Sequence, residues 1–206
     1  ESVVSDKKKV IVLGSGPIGL MVQKFAWMKG AKRVIAVDHL PYRLNHAVKM
    51  NKVEAYNFEE YDHMGKYIRE ITNGGVDVVI DCVGMDGKMS TLEKVGQKLK
   101  LQGGTLSALD IGIDAVRKFG TIQLTGVYGS NYNMFPLGNI FERNINIKTG
   151  QAPVVHYMPK IYEMITKGDV DPTQIITHSV PLEQASEAYK IFHDHEEESI
   201  KFVLKP

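Results

Sequence analysis

Three glycines and one carboxylate carry the first chemistry legible in this chain. Gly14, Gly16 and Gly19 form a G-x-G-x-x-G pattern directly after the apolar run Val10-Ile11-Val12-Leu13, and Asp38 follows 38 − 19 = 19 residues past the last of them. Gly14 permits a tight exit from a strand, and Gly16 lets backbone approach a diphosphate without a Cβ in the way. Gly19 lets a following helix pack close to that strand. A helix entered through Pro17 and Ile18 turns its first N–H groups and the positive end of its dipole toward the phosphates. An acidic side chain about 20 residues beyond the glycines is placed to accept ribose hydroxyls and repels a 2′-phosphate. No Arg or Lys fills the four positions after Asp38, Arg43 being the fifth. The pattern therefore points to NAD rather than NADP. The competing reading is a structural glycine turn with a solvated Asp at a strand end.

These residues need a sheet to position them, and the rest of the chain supplies one. The strand Arg33–Val37 leads into Asp38, and Pro41 opens a helix through Met50. A short strand over Glu54–Phe58 and a helix over Glu59–Thr72 follow, the helix stopped by Asn73-Gly74-Gly75. Val76–Gly84 reads as another buried strand with a glycine exit. The order β-α-β-α-β-α-β implies a parallel, doubly wound α/β sheet. The polar stretch from Met85 to Gly104 is expected to be helical around Leu92–Leu101. Ser107–Lys118 fits a helix with Ser107 as its N-cap and Gly120 as its stop. Thr121–Gly129 and Asn144–Gly150 complete six strands, separated by a loop containing Pro136 and Gly138. A first domain over 1–152 and a C-terminal α+β tail over 153–206 follow from the change at Gln151-Ala152-Pro153. In the tail we expect helices over Tyr157–Lys167 and Leu182–His193, with extended segments at Ile175–Pro181 and Ser199–Leu204.

Bulk properties bound the function. The 206 residues are 43% hydrophobic and 24% charged with a net charge of +1, as in an ordinary globular protein, and nothing in the charge favours nucleic acid. One cysteine, Cys82, excludes an intrachain disulfide framework. No apolar run approaches the ~18 residues of a membrane span, and the start lacks a signal-peptide pattern, so a cytoplasmic setting and no membrane partner are expected. His193 and His195 project to roughly opposite faces of a helix end and cannot share a metal. We assign neither a metal ligand nor a catalytic residue.

The ordered series Val10–Gly19, Val34–Asp38 with Arg43-Leu44, Asp77–Gly84, Asp114–Thr121, Gly126–Gly129, Gly150-Gln151-Ala152, Ile176-Thr177-His178 and Ser199–Leu204 resembles the medium-chain dehydrogenase/reductase family. It looks most like the zinc-type alcohol dehydrogenases of the formaldehyde-dehydrogenase-like branch, to which the Leu92–Leu101 insertion is also similar. The resemblance implies a six-stranded Rossmann fold and a cofactor site drawn from the whole chain. Within it Ile18 and Val83 would line the cofactor channel, with Cys82 and Gly84 beside Val83, and Arg43 would lie along the adenine. Backbone at Gly126 and Val127, and again at Gly150 and Ala152, would meet the carboxamide, and Lys201 would reach the pyrophosphate. As packing residues, Cys82 reads as a small core hydrophobe, Arg43 as a solvated helix residue and Lys201 as a surface lysine. In the family a catalytic domain carrying the zinc ligands precedes the nucleotide-binding strand. The resemblance thus implies the NAD-binding portion of a zinc-dependent alcohol or aldehyde oxidoreductase, with that zinc domain missing from this chain. It also implies a homo-oligomer paired through the sixth strand. The alternative is a stand-alone NAD-binding or redox-sensing module without catalysis.

Overall fold

The computed structural model describes residues 3–83, 106–126, 135–194 and 197–206. The chain divides into two compact units, Glu1–Gly150 and Gln151–Pro206. The first is built on six parallel strands: β1 (Lys9–Leu13), β2 (Arg33–Asp38), β3 (Glu54–Asn57), β4 (Val76–Asp81), β5 (Val116–Leu124) and β6 (Asn146–Thr149). Their order is β3-β2-β1-β4-β5-β6, the expected doubly wound sheet. The strands at its centre are continuous apolar runs because both of their faces are covered. Ile11, Ile35 and Val79 face one core with Met64, Ile68, Leu109 and Ile113, and alternation turns Val10, Val12, Val34 and Ala36 to the other face. Helices α1 (Pro17–Met28) and α2 (Pro41–Asn51) pack together, as do α3 (Met64–Ile71) and α4 (Leu106–Ala115).

Local chemistry moved several boundaries. In place of one helix over Glu59–Thr72, β3 ends at Asn57, a single 3₁₀ turn spans Phe58–Glu60, and α3 starts only at Met64. The Asn57 side chain accepts the Glu59 N–H at 3.0 Å. Tyr61 is extended, its ring 4.4 Å from that of Tyr67 and 6.2 Å from that of Tyr56, so packing of the aromatic cluster overrides helix propensity there. The helix expected over Ser107–Lys118 runs instead over Leu106–Ala115, which places Ser107 inside it rather than at its cap. Val116 already belongs to β5, opposite Val76; the ladder then breaks and resumes with Thr121 opposite Val78. Arg117–Gly120 form an excursion from the strand, with Phe119 at φ 58°, where a helix end was expected. A short helix, α5 (Leu137–Glu142), occupies part of the loop between the fifth and sixth strands. The Leu92–Leu101 segment lies outside the described residues.

The excursion brings Arg117 to Asp77, whose Oδ1 accepts from Arg117 Nε at 2.7 Å while Oδ2 accepts the Lys9 N–H at 2.7 Å. Burial pushes the Asp77 carboxyl up, but the Lys9 amide and the Arg117 guanidinium outweigh it and hold the carboxyl below its ordinary value. A carboxyl lowered on folding contributes stability that is complete above its unfolded pKa and is lost as pH falls through its folded one. Asp77→Asn is expected to cost about 1–3 kcal/mol at neutral pH and to flatten the acid limb of melting temperature against pH. A variant profile that superimposes on the wild type from about pH 5 down to 2 would show that this pairing contributes nothing.

The second unit carries α6 (Val154–Thr166), α7 (Ala185–His193) and a parallel pair, β7 (His178–Pro181) with β8 (Phe202–Lys205). Helix α6 begins at Val154 rather than Tyr157, with Pro159 inside it.

Candidate functional site

The strand order reverses at β1, which pairs with β2 on one side and β4 on the other. In an open parallel sheet this switch point opens a crevice at the carboxyl ends of the strands. There the Gly14 N–H donates to Val37 O and the Cys82 N–H to Leu13 O, both at 2.8 Å, so the ends of β1, β2 and β4 are locked to one another. Gly14 turns the chain at φ 87°. The next residue, Ser15, donates its N–H to Asp38 Oδ2 at 2.7 Å. The glycine turn and the carboxylate therefore share one edge and touch directly.

Asp38 is 4% exposed. Its Oδ1 accepts the N–H groups of His39 at 2.7 Å and Leu40 at 3.0 Å, which fixes the entry to α2. An ionised carboxylate offers about four acceptor sites, so one remains after these three amides. Helix α1 starts at Pro17 on Gly16, with no side-chain cap on its first turn, which leaves that end to an anionic partner. A Cβ on Gly19 would stand 1.9 Å from Gly14 O, so the α1–β1 approach requires glycine. Ile18 in that first turn is 58% exposed despite being apolar. Arg43, early in α2, brings Nη1 to 3.8 Å from where a Gly16 Cβ would sit. Its Nε is buried with no hydrogen-bond partner. The guanidinium thus lies beside the glycine turn. An open helix start, a glycine cradle, an orphaned buried guanidinium N–H and a partly free carboxylate fit an adenine dinucleotide.

On the other side of the crevice, the buried Asp81 ends β4. Its carboxylate accepts the Val83 N–H at 3.0 Å, and its backbone oxygen accepts from Thr125 at 2.9 Å and Gly126 at 3.0 Å. A Cβ on Gly126 would meet Val83 O at 2.2 Å, so Val83 and Gly126 are in contact at the ends of adjacent strands. Burial, reinforced by the Asp81 carboxylate, pushes the Cys82 thiol far up, keeping it neutral and a poor nucleophile.

The first unit thus gathers Gly14, Gly16, Pro17, Ile18, Gly19, Asp38, Arg43, Cys82, Val83 and Gly126 at one edge, with Gly150 just past the end of β6. Gly84 and Val127 lie outside the described residues. Ala152 and Lys201 belong to the second unit; Lys201 directly precedes β8, its N–H donating to Thr177 Oγ1 at 3.2 Å. Sequence reasoning passed over Ser15, Gln23, Asn51 and Asp81 as site residues. A signal for Gln23 was present, since it shares the buried stripe of α1 with Gly19, Leu20 and Ala26.

Comparison with known proteins identifies the fold's relatives. A family model described as zinc-binding dehydrogenase matches residues 17–106. An uncharacterised zinc-type alcohol dehydrogenase-like protein of Bacillus subtilis is 59% identical over 197 residues, covering 96% of this chain and 52% of that protein. An alcohol dehydrogenase of Cupriavidus necator is 30% identical over 201 residues, covering 96% of this chain and 49% of its own length. Among solved structures, the alcohol dehydrogenase of Thermus sp. ATN1 superimposes with a TM-score of 0.79 at 26% identity, covering 98% of this chain and 52% of that one. The chain spans about half the length of the curated relatives it matches. Over nearly its whole length the chain is thus similar to about half of a zinc-type alcohol dehydrogenase.

Proposed function

We propose that this chain binds NAD for a zinc-dependent dehydrogenase acting on an alcohol or aldehyde. The observation that carries the reading is the 2.7 Å bond from the Ser15 N–H to Asp38 Oδ2, which joins a diphosphate turn to a ribose carboxylate at the sheet's switch point. Gly14, Gly16, Pro17 and Gly19 shape the turn that receives the diphosphate, and Arg43 neutralises it from α2. The acceptor left on Asp38 takes a ribose hydroxyl, and its charge rejects a 2′-phosphate. Ile18, Cys82 and Val83 form one wall of the cofactor channel. Gly126 and Gly150 offer backbone groups to the carboxamide. A solved relative of the same fold, from E. coli and 20% identical, is described as complexed with NADH. Bound NAD supplies the hydride acceptor, and zinc, proposed to be held by residues other than those of this chain, supplies Lewis-acid polarisation of the substrate oxygen.

The test is titration of the chain with NAD and NADP, run beside an alcohol-oxidation assay. NAD is expected to bind at least about tenfold more tightly, a difference of roughly 1.4 kcal/mol, with no alcohol turnover by the chain alone. Preference for NADP would overturn the role given to Asp38, and measurable turnover would overturn the placing of zinc chemistry elsewhere. The single cysteine suits a reducing, cytoplasmic setting. Among the described residues strand β6 pairs only with β5, so its other edge is the proposed contact of a homodimer, which sedimentation would contradict by showing monomer only.

A further inference from the structure

The diphosphate turn is held at a second atom that the cofactor reading does not use. Ser15 is completely buried, and its Oγ accepts from Gln23 Nε2 at 3.1 Å. Gln23, also completely buried, accepts through Oε1 from Asn51 Nδ2 at 3.1 Å. Asn51, the last residue of α2, donates as well to Leu20 O at 2.8 Å, and its backbone oxygen accepts the Trp27 indole N–H at 2.9 Å. A polar chain thus crosses the α1–α2 interface and ends on the residue between Gly14 and Gly16.

Stability alone does not account for it. A buried amide gains little net free energy even when satisfied, and replacing it together with its partners by apolar groups of the same shape is nearly neutral. Here the chain is not even fully satisfied, since Asn51 Oδ1 is buried without a partner. What an apolar residue could not supply is the grip on Ser15 Oγ. With Asp38 holding the backbone N–H of the same residue, the turn is fixed at two atoms of Ser15. Ordering the turn before the ligand arrives removes that cost from binding.

We propose that Gln23 is a positioning residue for diphosphate binding, acting through Ser15 on the amides that follow β1. The proposal rests on the NAD reading and adds to it a residue that never touches the ligand. It predicts a ligand-dependent defect: a disordered turn should weaken ligands that carry a diphosphate and spare those that carry only the adenosine.

The test uses the 206-residue chain as wild type, Gln23→Met, Ser15→Ala and the double variant. Dissociation constants are measured for ADP by calorimetry and for adenosine by ligand-observed NMR. Emission of Trp27, the chain's single tryptophan, reports that the helix pair remains packed. Each single variant is expected to weaken ADP about fivefold, the worth of one hydrogen bond. Because both act through one bond, the double variant should be no weaker than either single one. Adenosine affinity should hold within about twofold of the wild type. Equal losses for ADP and adenosine, unchanged ADP affinity, or losses that multiply in the double variant would each overturn the proposal while leaving the NAD reading in place. A wild-type chain that binds neither ADP nor NAD would overturn the NAD reading, and the proposal with it.

Discussion

Gly19→Ala is expected to destabilise the chain by more than about 3 kcal/mol and to abolish nucleotide binding. The added Cβ would stand 1.9 Å from Gly14 O and 2.9 Å from Gly14 C, inside any tolerable contact and against backbone rather than a side chain that could swing away. Gly14 cannot retreat, because its N–H is bonded to Val37 O at 2.8 Å. Relief requires α1 to lift from β1, which opens the core and the diphosphate turn together. Gly138, in α5, is the control: a Cβ there meets nothing within 4 Å, so Gly138→Ala should stay within about 0.5 kcal/mol of the wild type. Urea unfolding of the two variants checks the contrast, and a Gly19 variant as stable as the control would mean the turn has slack the structure does not show.

Asp38→Asn is expected to cost about 2–4 kcal/mol and to weaken NAD at least about tenfold. Three amides converge on this carboxylate, Ser15 on Oδ2 and His39 and Leu40 on Oδ1. An asparagine has one acceptor oxygen, so either rotamer turns an NH₂ group toward an N–H donor in a site only 4% exposed. Flipping the amide exchanges one conflict for the other. Thermal unfolding and NAD titration read the two effects, and a melting temperature within about 1 °C of the wild type would show that the three bonds are not a clamp.

The sheet was legible because its strands are short, apolar and bounded by glycine or charge, as in Lys9–Gly14 and Arg33–Asp38. The meeting of the glycine turn with Asp38 was legible because a G-x-G-x-x-G turn and an acidic residue about 20 positions on end adjacent strands of such a sheet. What could not be read depended on contacts distant in sequence. Val116 looks like part of a helix until Val76 is beside it, and Tyr61 breaks a helix only because Tyr56 and Tyr67 await its ring. Gln23 lies on an otherwise apolar stripe, and nothing nearby in sequence announces that Ser15 and Asn51 meet it. Arg43 was placed in the site by resemblance alone, and its approach to Gly16 joins two residues 27 apart in sequence.

The crowding of amides on Asp38 bears on any attempt to re-engineer the coenzyme choice of this fold. A swap toward a phosphorylated ribose would begin by discarding the negative charge at this position, and with it the acceptor that ties β1's exit to α2's entry. Under the proposed NAD reading, charge at this position and rigidity of the turn go together, so a swap must first install a neutral acceptor for the Ser15 N–H.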